Sequence, residues 1–404
     1  MLGEIKLRPK SEGVGVMVSA FQSEIDGFGI QLSAEKLAEI NVKRVAAHKV
    51  PLESSPGVRF LDYGKNKEGY WDAAMMETQV SDIMDVFEHL YPNHQLLLKI
   101  DWSSGHSKMK EDGLHADNMN AKYGGKQSKL RPSVLTEGCV GTAPAVAKWV
   151  EHGVQTVRDM RLKVGDTQVF VFQPSDPPPF NCPTAPRHDT HNTAKPNKLV
   201  TPRKKKGQAQ PEPAQTVPNI IEGYVGKAKG TAQILWERGL YDARMKLDAP
   251  TIIKDAVGHV VTIPSMRQVL SACPDFLNEK TSMQELVESR GHILCMTPKY
   301  HPELAGVGIE FSWGRAKYMF RKEINDFKAT NLKANVMRAL STQGDGAVLP
   351  LALVRRYARR ARDYLRAYAA NPGPKEFKMI EKMKQHQKTH RSIFDLEFAF
   401  LGSA

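Results

Sequence analysis

The sequence predicts an α/β fold, a mixed sheet flanked by helices and followed by a basic helical C-terminal extension. Three observations predict it. Residues 95–100 (QLLLKI) and 292–297 (HILCMT) are apolar runs of the length of buried strands, each ending at a polar loop. Stretches with apolar residues at helical spacing stand between and after these runs, most clearly at 72–90. Residues 351–368 place Val354, Tyr357, Ala358, Ala361, Tyr364, Leu365 and Tyr368 on one helical face and Arg355, Arg356, Arg359, Arg360, Arg362 and Arg366 on the other.

In chain order, residues 14–20 (VGVMVSA) read as a strand, and residues 25–29 (IDGFG) read as a turn into a second short one. Residues 58–63 give another strand. The helix expected over 72–90 carries Met75, Met76, Val80, Ile83, Met84, Val86, Phe87 and Leu90 on its apolar stripe. The strand at 95–100 stops at Asp101, followed by Trp102-Ser-Ser-Gly-His106. An apolar strand, an acid and then small polar residues is how an α/β sheet delivers a carboxylate to the end where ligands bind. A further short strand is expected at 169–172. Residues 174–218, rich in Pro, Thr, Asn, Lys and Gln, read as a disordered insertion. Within it Arg203, Lys204, Lys205 and Lys206 form a cluster compatible with a nuclear-import signal or with a solvated charge run. Helices are expected at 227–238, 265–272 and 282–290. After the strand at 292–297 comes a turn-rich loop, then a helix bearing Ile309, Glu310, Trp313, Gly314 and Lys317. The expected organisation is a core in two parts, 1–173 and 219–325, interrupted by 174–218 and followed by a basic helical region at 326–404.

Bulk properties narrow the partner. The 404 residues are 41% hydrophobic, enough for a sizeable core. The net charge is +13 with a pI near 9.4, which favours a polyanionic partner such as nucleic acid. Residues 315–391 hold 19 Lys and Arg against 6 Asp and Glu, so this segment carries the whole excess. Four cysteines without a CxxC pair argue for a reducing compartment and against a zinc ribbon or a disulfide framework. No apolar run has the length of a membrane span, and residues 1–13 have no apolar core of a secretory signal.

The candidate chemistry rests on Asp101 and Glu310. Carboxylates delivered by neighbouring strands make a hard-oxygen site suited to Mg²⁺ or Mn²⁺, which can activate a hydroxyl and stabilise the leaving oxygen of a phosphodiester. Spacing alone fits a helix-capping aspartate and a surface glutamate equally well.

Five segments in register supply context. They are Arg8-Pro-Lys with Val16-Met-Val-Ser-Ala-Phe21; Tyr63-Gly-Lys-Asn-Lys-Glu-Gly-Tyr-Trp71; Tyr91-Pro-Asn-His-Gln with LLLKIDWSSGH and Asn120-Ala-Lys-Tyr-Gly-Gly-Lys-Gln127; Pro298-Lys-Tyr-His-Pro-Glu-Leu with Ile309-Glu-Phe-Ser-Trp-Gly314; and Arg355-Arg-Tyr-Ala-Arg-Arg. Together they resemble the DDE superfamily endonucleases, eukaryotic DNA transposases distantly related to the mariner group. The resemblance implies a ribonuclease-H-like core, a nuclear location, DNA as partner, Mg²⁺ or Mn²⁺ as cofactor, no organic cofactor, no membrane, and compatibility with a homo-oligomer. Asp101 matches the family's second carboxylate and Glu310 its third, both as metal ligands. Glu303, His106 and His301 fall on supporting positions, and Arg355, Arg356, Arg359, Arg360, Arg362 and Arg366 on a DNA-binding helix. The pattern departs from the family at Ala20, at Leu304-Ala305-Gly306, and at Val307 and Gly308. The family's first carboxylate precedes the RPK motif, so this chain is expected to lack it; Glu24 and Asp26 are the nearest acids. The implied activity is metal-dependent DNA cleavage and strand transfer, impaired by an incomplete triad. The alternatives are a non-catalytic DNA-binding remnant or domesticated protein, and a structural assembly protein with the same core.

Overall fold

The computed structural model describes residues 15–103, 105–143, 146–151, 154–159, 161–176, 179–180, 186–187, 217–218, 223–299, 301–324 and 331–370. The basic cluster at Arg203, Lys204, Lys205 and Lys206 lies outside the described residues, as does nearly all of the Pro-rich segment around it. The architecture is α/β, with helices and short two-stranded sheets. The chain divides into two compact units, one of Met1–Lys108 with Ser282–Ala404 and one of Met109–Thr281.

The first unit holds, in order, β1 (Met17–Ala20), β2 (Gln22–Ser23), β3 (Gly27–Phe28), α1 (Ala34–Ala46), β4 (Val58–Leu61), α2 (Ala73–Leu90), β5 (Leu97–Ile100), α3 (Ser282–Glu288), β6 (Ile293–Met296), α4 (Ile309–Glu323), α5 (Leu332–Ala339) and α6 (Leu351–Ala370). β1 pairs antiparallel with β4, Met17 opposite Leu61 and Ala20 opposite Val58. β5 pairs parallel with β6, Leu97 opposite Ile293 and Ile100 opposite Met296. The expected strand at 14–20 is thus shorter, and the turn at 25–29 is the β2–β3 hairpin, with Gly27 at φ 83°.

Local chemistry accounts for these elements. Asp72 caps α2, its side chain accepting from the Met75 backbone N–H at 2.9 Å. Met76, Val80, Ile83, Met84 and Val86 then recur on one face and are buried. That stripe packs with Leu98 and Ile100 of β5, Phe21, and Met283 and Val287 of α3. Each such aliphatic side chain contributes roughly 1.5–3 kcal/mol by leaving water. Side chains alternate across a strand, so Val18 and Ala20 of β1 meet the opposite layer, where Phe28, Ile309, Trp313, Ala316 and Val354 pack. α2 and α3 therefore pack with β5, while α4, α5 and α6 pack with β1, β3 and β4; among the described residues the two strand pairs are separate two-stranded sheets, not the joined mixed sheet expected.

Charged residues join the edges of this unit. Arg44 of α1 lies 2.7 Å from Asp82 and 2.5 Å from Asp85 of α2. Arg59 of β4 also reaches Asp82. Arg290, before β6, pairs with Asp85 at 2.7 Å and Glu88 at 2.6 Å, and His292 lies 3.0 Å from Glu88.

In the unit of Met109–Thr281, two hairpins pair Val146–Glu151 with Val154–Asp159 and Thr251–Lys254 with Val260–Ile263. Helices Thr231–Glu237 and Met266–Ala272, the second through Met266 and Leu270, pack with Leu135, Phe170 and Phe276. Ser265 and Gln268 form a reciprocal capping box that starts the second helix. The helix expected from Lys227 begins at Thr231. The strand expected at 169–172 is displaced to Thr167–Gln168, with Val171 making a lone bridge to Ala228. Among the described residues, no helix is long and apolar enough to cross a membrane.

Candidate active site: two carboxylates on one cavity

Asp101 and Glu310 reach the same cavity by different routes. Leu98 and Ile100 are anchored under α2, so β5 ends at a fixed place and Asp101 emerges there. Glu310 depends on how α4 begins. Gly308 precedes that helix at φ 78°, and a Cβ there would lie 2.5 Å from the Tyr357 carbonyl oxygen. Only glycine fits both the left-handed backbone and that approach to α6. Gln22 fixes the same corner. Its amide donates to the Val307 carbonyl at 2.8 Å, and its oxygen accepts from Ser312 Oγ at 2.8 Å. No pattern in the sequence marks Gln22 or Ser312 for this role.

The cavity measures about 490 Å³ and is bounded by β1, β5, α2 and the start of α4, with Asp101, His106 and Glu310 in its wall. The Asp101 side chain is 57% exposed. Loss of surrounding water raises the Glu310 carboxyl above the ordinary glutamate range; Lys317 opposes the rise, and the negative charge of Asp101 adds to it.

His106 belongs to the same corner. Its Nδ1 lies 2.9 Å from the Asp101 carbonyl oxygen and 3.5 Å from Asp101 Oδ1, and its backbone N–H donates to Ser103 Oγ. Donation from Nδ1 leaves Nε2 as the ring's remaining polar atom. Next to Asp101 in sequence, Trp102 carries the Lys299 ammonium 3.5 Å from the centre of its ring. Lys299 and Lys317 are additions that the sequence did not single out for this site.

His301 and Glu303 lie apart from the cavity wall. Tyr368 donates to Glu303 Oε1 at 2.5 Å, and His301 Nδ1 sits 3.0 Å from the same oxygen. Burial would raise the Glu303 carboxyl, but the hydrogen bonds from Tyr368, its own backbone and His301 outweigh it and hold it below the ordinary range. This cluster pins the 3-10 turn Pro302–Leu304 to α6.

Glu24 and Asp26 do line the cavity, but both have other partners. Arg362 ion-pairs with the Glu24 carboxylate, and Arg355 Nε donates to the Glu24 carbonyl at 2.8 Å. Asp26 accepts from Tyr91 Oη at 2.6 Å and from Ser23 Oγ at 2.7 Å. Burial, reinforced by Asp26, pushes the Tyr91 hydroxyl up to about 12. Both acids are thus engaged by partners other than Asp101 and Glu310.

The arginine face of α6 is divided in the same way. Arg355 and Arg362 hold Glu24, Arg360 lies 4.4 Å from the centre of the Phe311 ring, and Arg366 is 3.5 Å from Asp363. Arg356 and Arg359 are exposed. Trp313 packs edge-on against Phe28 at 5.4 Å, as part of the apolar layer.

As a cation site, the donors are right in kind and short in number. Asp101 and Glu310 present hard carboxylate oxygens. Among the described residues, no group of three or more His, Cys, Asp or Glu side chains is placed to hold a metal ion. Compared with family models, curated proteins and solved structures, the chain matches none.

Proposed function

We propose that the unit of Met1–Lys108 with Ser282–Ala404 is a ribonuclease-H-like phosphodiester-cleaving core of the DDE transposase type, acting on DNA in the nucleus. The observation that carries this reading is the convergence of Asp101, at the end of β5, and Glu310, in the first turn of α4, on one cavity, where one carboxylate raises the other. Two like charges on one cavity wall cost stability unless a cation or a proton offsets them. The antiparallel pair β1–β4 and the parallel pair β5–β6 are separate two-stranded sheets packed with helices, an α/β arrangement compatible with this reading.

Asp101 and Glu310 would hold Mg²⁺ or Mn²⁺, which supplies an activated hydroxyl nucleophile and charge stabilisation at the leaving oxygen. His106 orients the loop that carries Asp101, and Lys299 and Lys317 favour an incoming phosphate. With two donors, cation binding is weak and cleavage by this chain alone is slow. The test is Mn²⁺-dependent nicking of supercoiled plasmid, in the protein and in Asp101→Ala and Glu310→Ala. Nicking that survives both substitutions refutes the site.

A second reading, a non-catalytic DNA-binding protein, is favoured by one observation: the exposed Arg356 and Arg359 on α6 need no metal to contact phosphates. DNA binding that is metal-independent and unchanged by Asp101→Ala and Glu310→Ala selects it. A homo-oligomer is compatible with either reading.

A further inference from the structure

The solvent face of α4 carries a second hollow. Residues three and four apart share a helix face, and Glu310, Gly314, Lys317, Tyr318, Arg321 and Lys322 follow that spacing. The last five are exposed and line a hollow of about 330 Å³; none of them lines the cavity that holds Asp101. The helix's second acid, Glu323, lies on the opposite side. Among the described residues, Lys317, Arg321 and Lys322 form no ion pair, although Lys317 acts on Glu310 at longer range.

Three features of this face point to a ligand and to its class. Cations without carboxylate partners attract a polyanion. Tyr318 is 52% exposed, and Lys322 and Arg315 flank its ring at 5.5 and 6.0 Å from the centre. An exposed aromatic ring among cations can stack a base while the cations take the neighbouring phosphates. A bare polyphosphate gives the ring nothing to stack on, and a duplex keeps its bases inside the stack. Gly314 is the third feature. Glycine weakens a helix interior relative to alanine, and packing does not require it here, since a Cβ at Gly314 would meet nothing within 4 Å. The missing side chain lets a ligand backbone approach the helix closely.

We propose that this face of α4 is a track for single-stranded DNA, with a base on Tyr318, phosphates on Lys317, Arg321 and Lys322, and the sugar-phosphate backbone passing Gly314 towards Glu310. Lys317 stands seven residues from Glu310, about 10 Å along the axis. A strand held on the track therefore meets the Glu310 carboxylate within about two helical turns. In giving the candidate site its substrate path, the proposal rests on the phosphodiester reading; the binding itself needs neither metal nor cleavage. The exposed Arg356 and Arg359 of α6 are on a different helix and serve as the comparison.

The experiment is fluorescence anisotropy of a labelled oligothymidylate with the full chain in EDTA, compared with an abasic phosphodiester and a duplex of the same length. The abasic strand should bind more weakly than the oligothymidylate. Tyr318→Ala should weaken oligothymidylate binding at least about fivefold, the scale of one lost base stack, and leave duplex binding unchanged, while Tyr318→Phe keeps the parent affinity. Lys317→Ala and Arg321→Ala should each reduce the slope of log affinity against log salt by about 0.7. Gly314→Leu should weaken binding while the circular dichroism spectrum and the denaturant midpoint hold. Unchanged affinity in these variants, equal loss in Tyr318→Ala and Tyr318→Phe, or an abasic strand bound as tightly as oligothymidylate overturns the proposal. Loss of binding confined to Arg356→Ala and Arg359→Ala overturns it as well, and puts the strand on α6. The expected binding pattern in a chain that never nicks plasmid overturns the phosphodiester reading alone. Nicking that depends on Asp101 but is indifferent to the α4 variants overturns the track alone.

Discussion

Two carboxylate sites, one in each unit, receive opposite treatment: the Asp275 side chain is 6% exposed, whereas Asp101 and Glu310 are exposed. In the unit of Met109–Thr281, Asp275 faces Arg238, whose side chain is fully buried, with contacts of 2.9 and 2.6 Å. Gln168 accepts from Arg238 Nε at 2.7 Å, and the guanidinium lies 6.0 and 5.4 Å from the centres of the Phe170 and Phe276 rings. Burial alone would raise the Asp275 carboxyl; the hydrogen bonds and charge of Arg238 outweigh it and hold it low. In the other unit, Glu310 is pushed up, with Asp101 adding to the rise and only Lys317 opposing it. The first site pairs its carboxylate with a buried guanidinium. The second sets two carboxylates on one cavity, with Lys317 as the cation that acts on Glu310. Carboxylates that stabilise a fold are paired; those that await a ligand are not.

The largest expected effect lies on the paired side. Asp275→Ala leaves Arg238 as a buried, uncompensated cation and should cost about 3–5 kcal/mol in the denaturant transition of its unit. A loss below about 1 kcal/mol would show that the pairing is not what distinguishes the two sites. The linked pH effect has a definite sign. Asp275 has a folded pKa below its unfolded one, so its contribution is present above the ordinary aspartate range and fades as the pH falls through the depressed value.

Next comes the unpaired side, where function and stability should separate. Glu310→Gln and Asp101→Asn should lower any Mn²⁺-dependent nicking by about 10²-fold or more, the scale expected when a reacting group is misplaced. The same variants should unfold within about 0.5 kcal/mol of the parent, because Glu310 is exposed and the Asp101 backbone carbonyl, 2.9 Å from His106 Nδ1, keeps that contact when the side chain changes. A destabilisation comparable to that of Asp275→Ala would place Glu310 among the structural carboxylates. The pH sign is reversed here. Glu310 has a raised folded pKa, so the stability it contributes is full below the ordinary glutamate range and is lost as the pH rises through the raised value. In Glu310→Gln, that loss on the alkaline side of the glutamate range should vanish from a stability profile measured from pH 4 to 8.

Much of the unit that holds the site could be read in the sequence. The helix at 72–90 and the strands at 95–100 and 292–297 were legible because each has a strong apolar pattern and a polar stop. α1 was not, since its turns bury only Ile40 and Arg44, and an arginine held by Asp82 and Asp85 gives no apolar signal. The hairpin at Thr251–Lys254 and Val260–Ile263 was missed because both its strands are largely exposed and lack the alternation of a half-buried sheet. At the site, Asp101 and Glu310 were visible as acids after apolar runs. The roles of Gln22, Lys299 and Lys317 were not, because they depend on elements that meet only in the fold. Glu303 and His301 matched motif positions, yet they serve the contact with Tyr368, a residue read only as part of an apolar stripe.

The smallest expected effect concerns α6, where the same comparison recurs between arginines. Arg355 and Arg362 are bound to Glu24, as Arg238 is to Asp275, whereas Arg356 and Arg359 are exposed. If α6 contacts DNA, Arg356→Ala and Arg359→Ala should each reduce the slope of log affinity against log salt by about 1, the signature of one lost phosphate contact. Their effect on folding should stay within about 0.5 kcal/mol. Arg362→Ala should instead loosen the β2–β3 hairpin through Glu24 and leave the salt slope nearly unchanged. Equal slopes for all three single variants, measured by fluorescence anisotropy between 50 and 200 mM salt, would mean that DNA, if bound, lies on another surface. The basic face of α6 would then serve to hold Glu24 and Phe311, leaving the single-signed charge of the helix with a structural explanation.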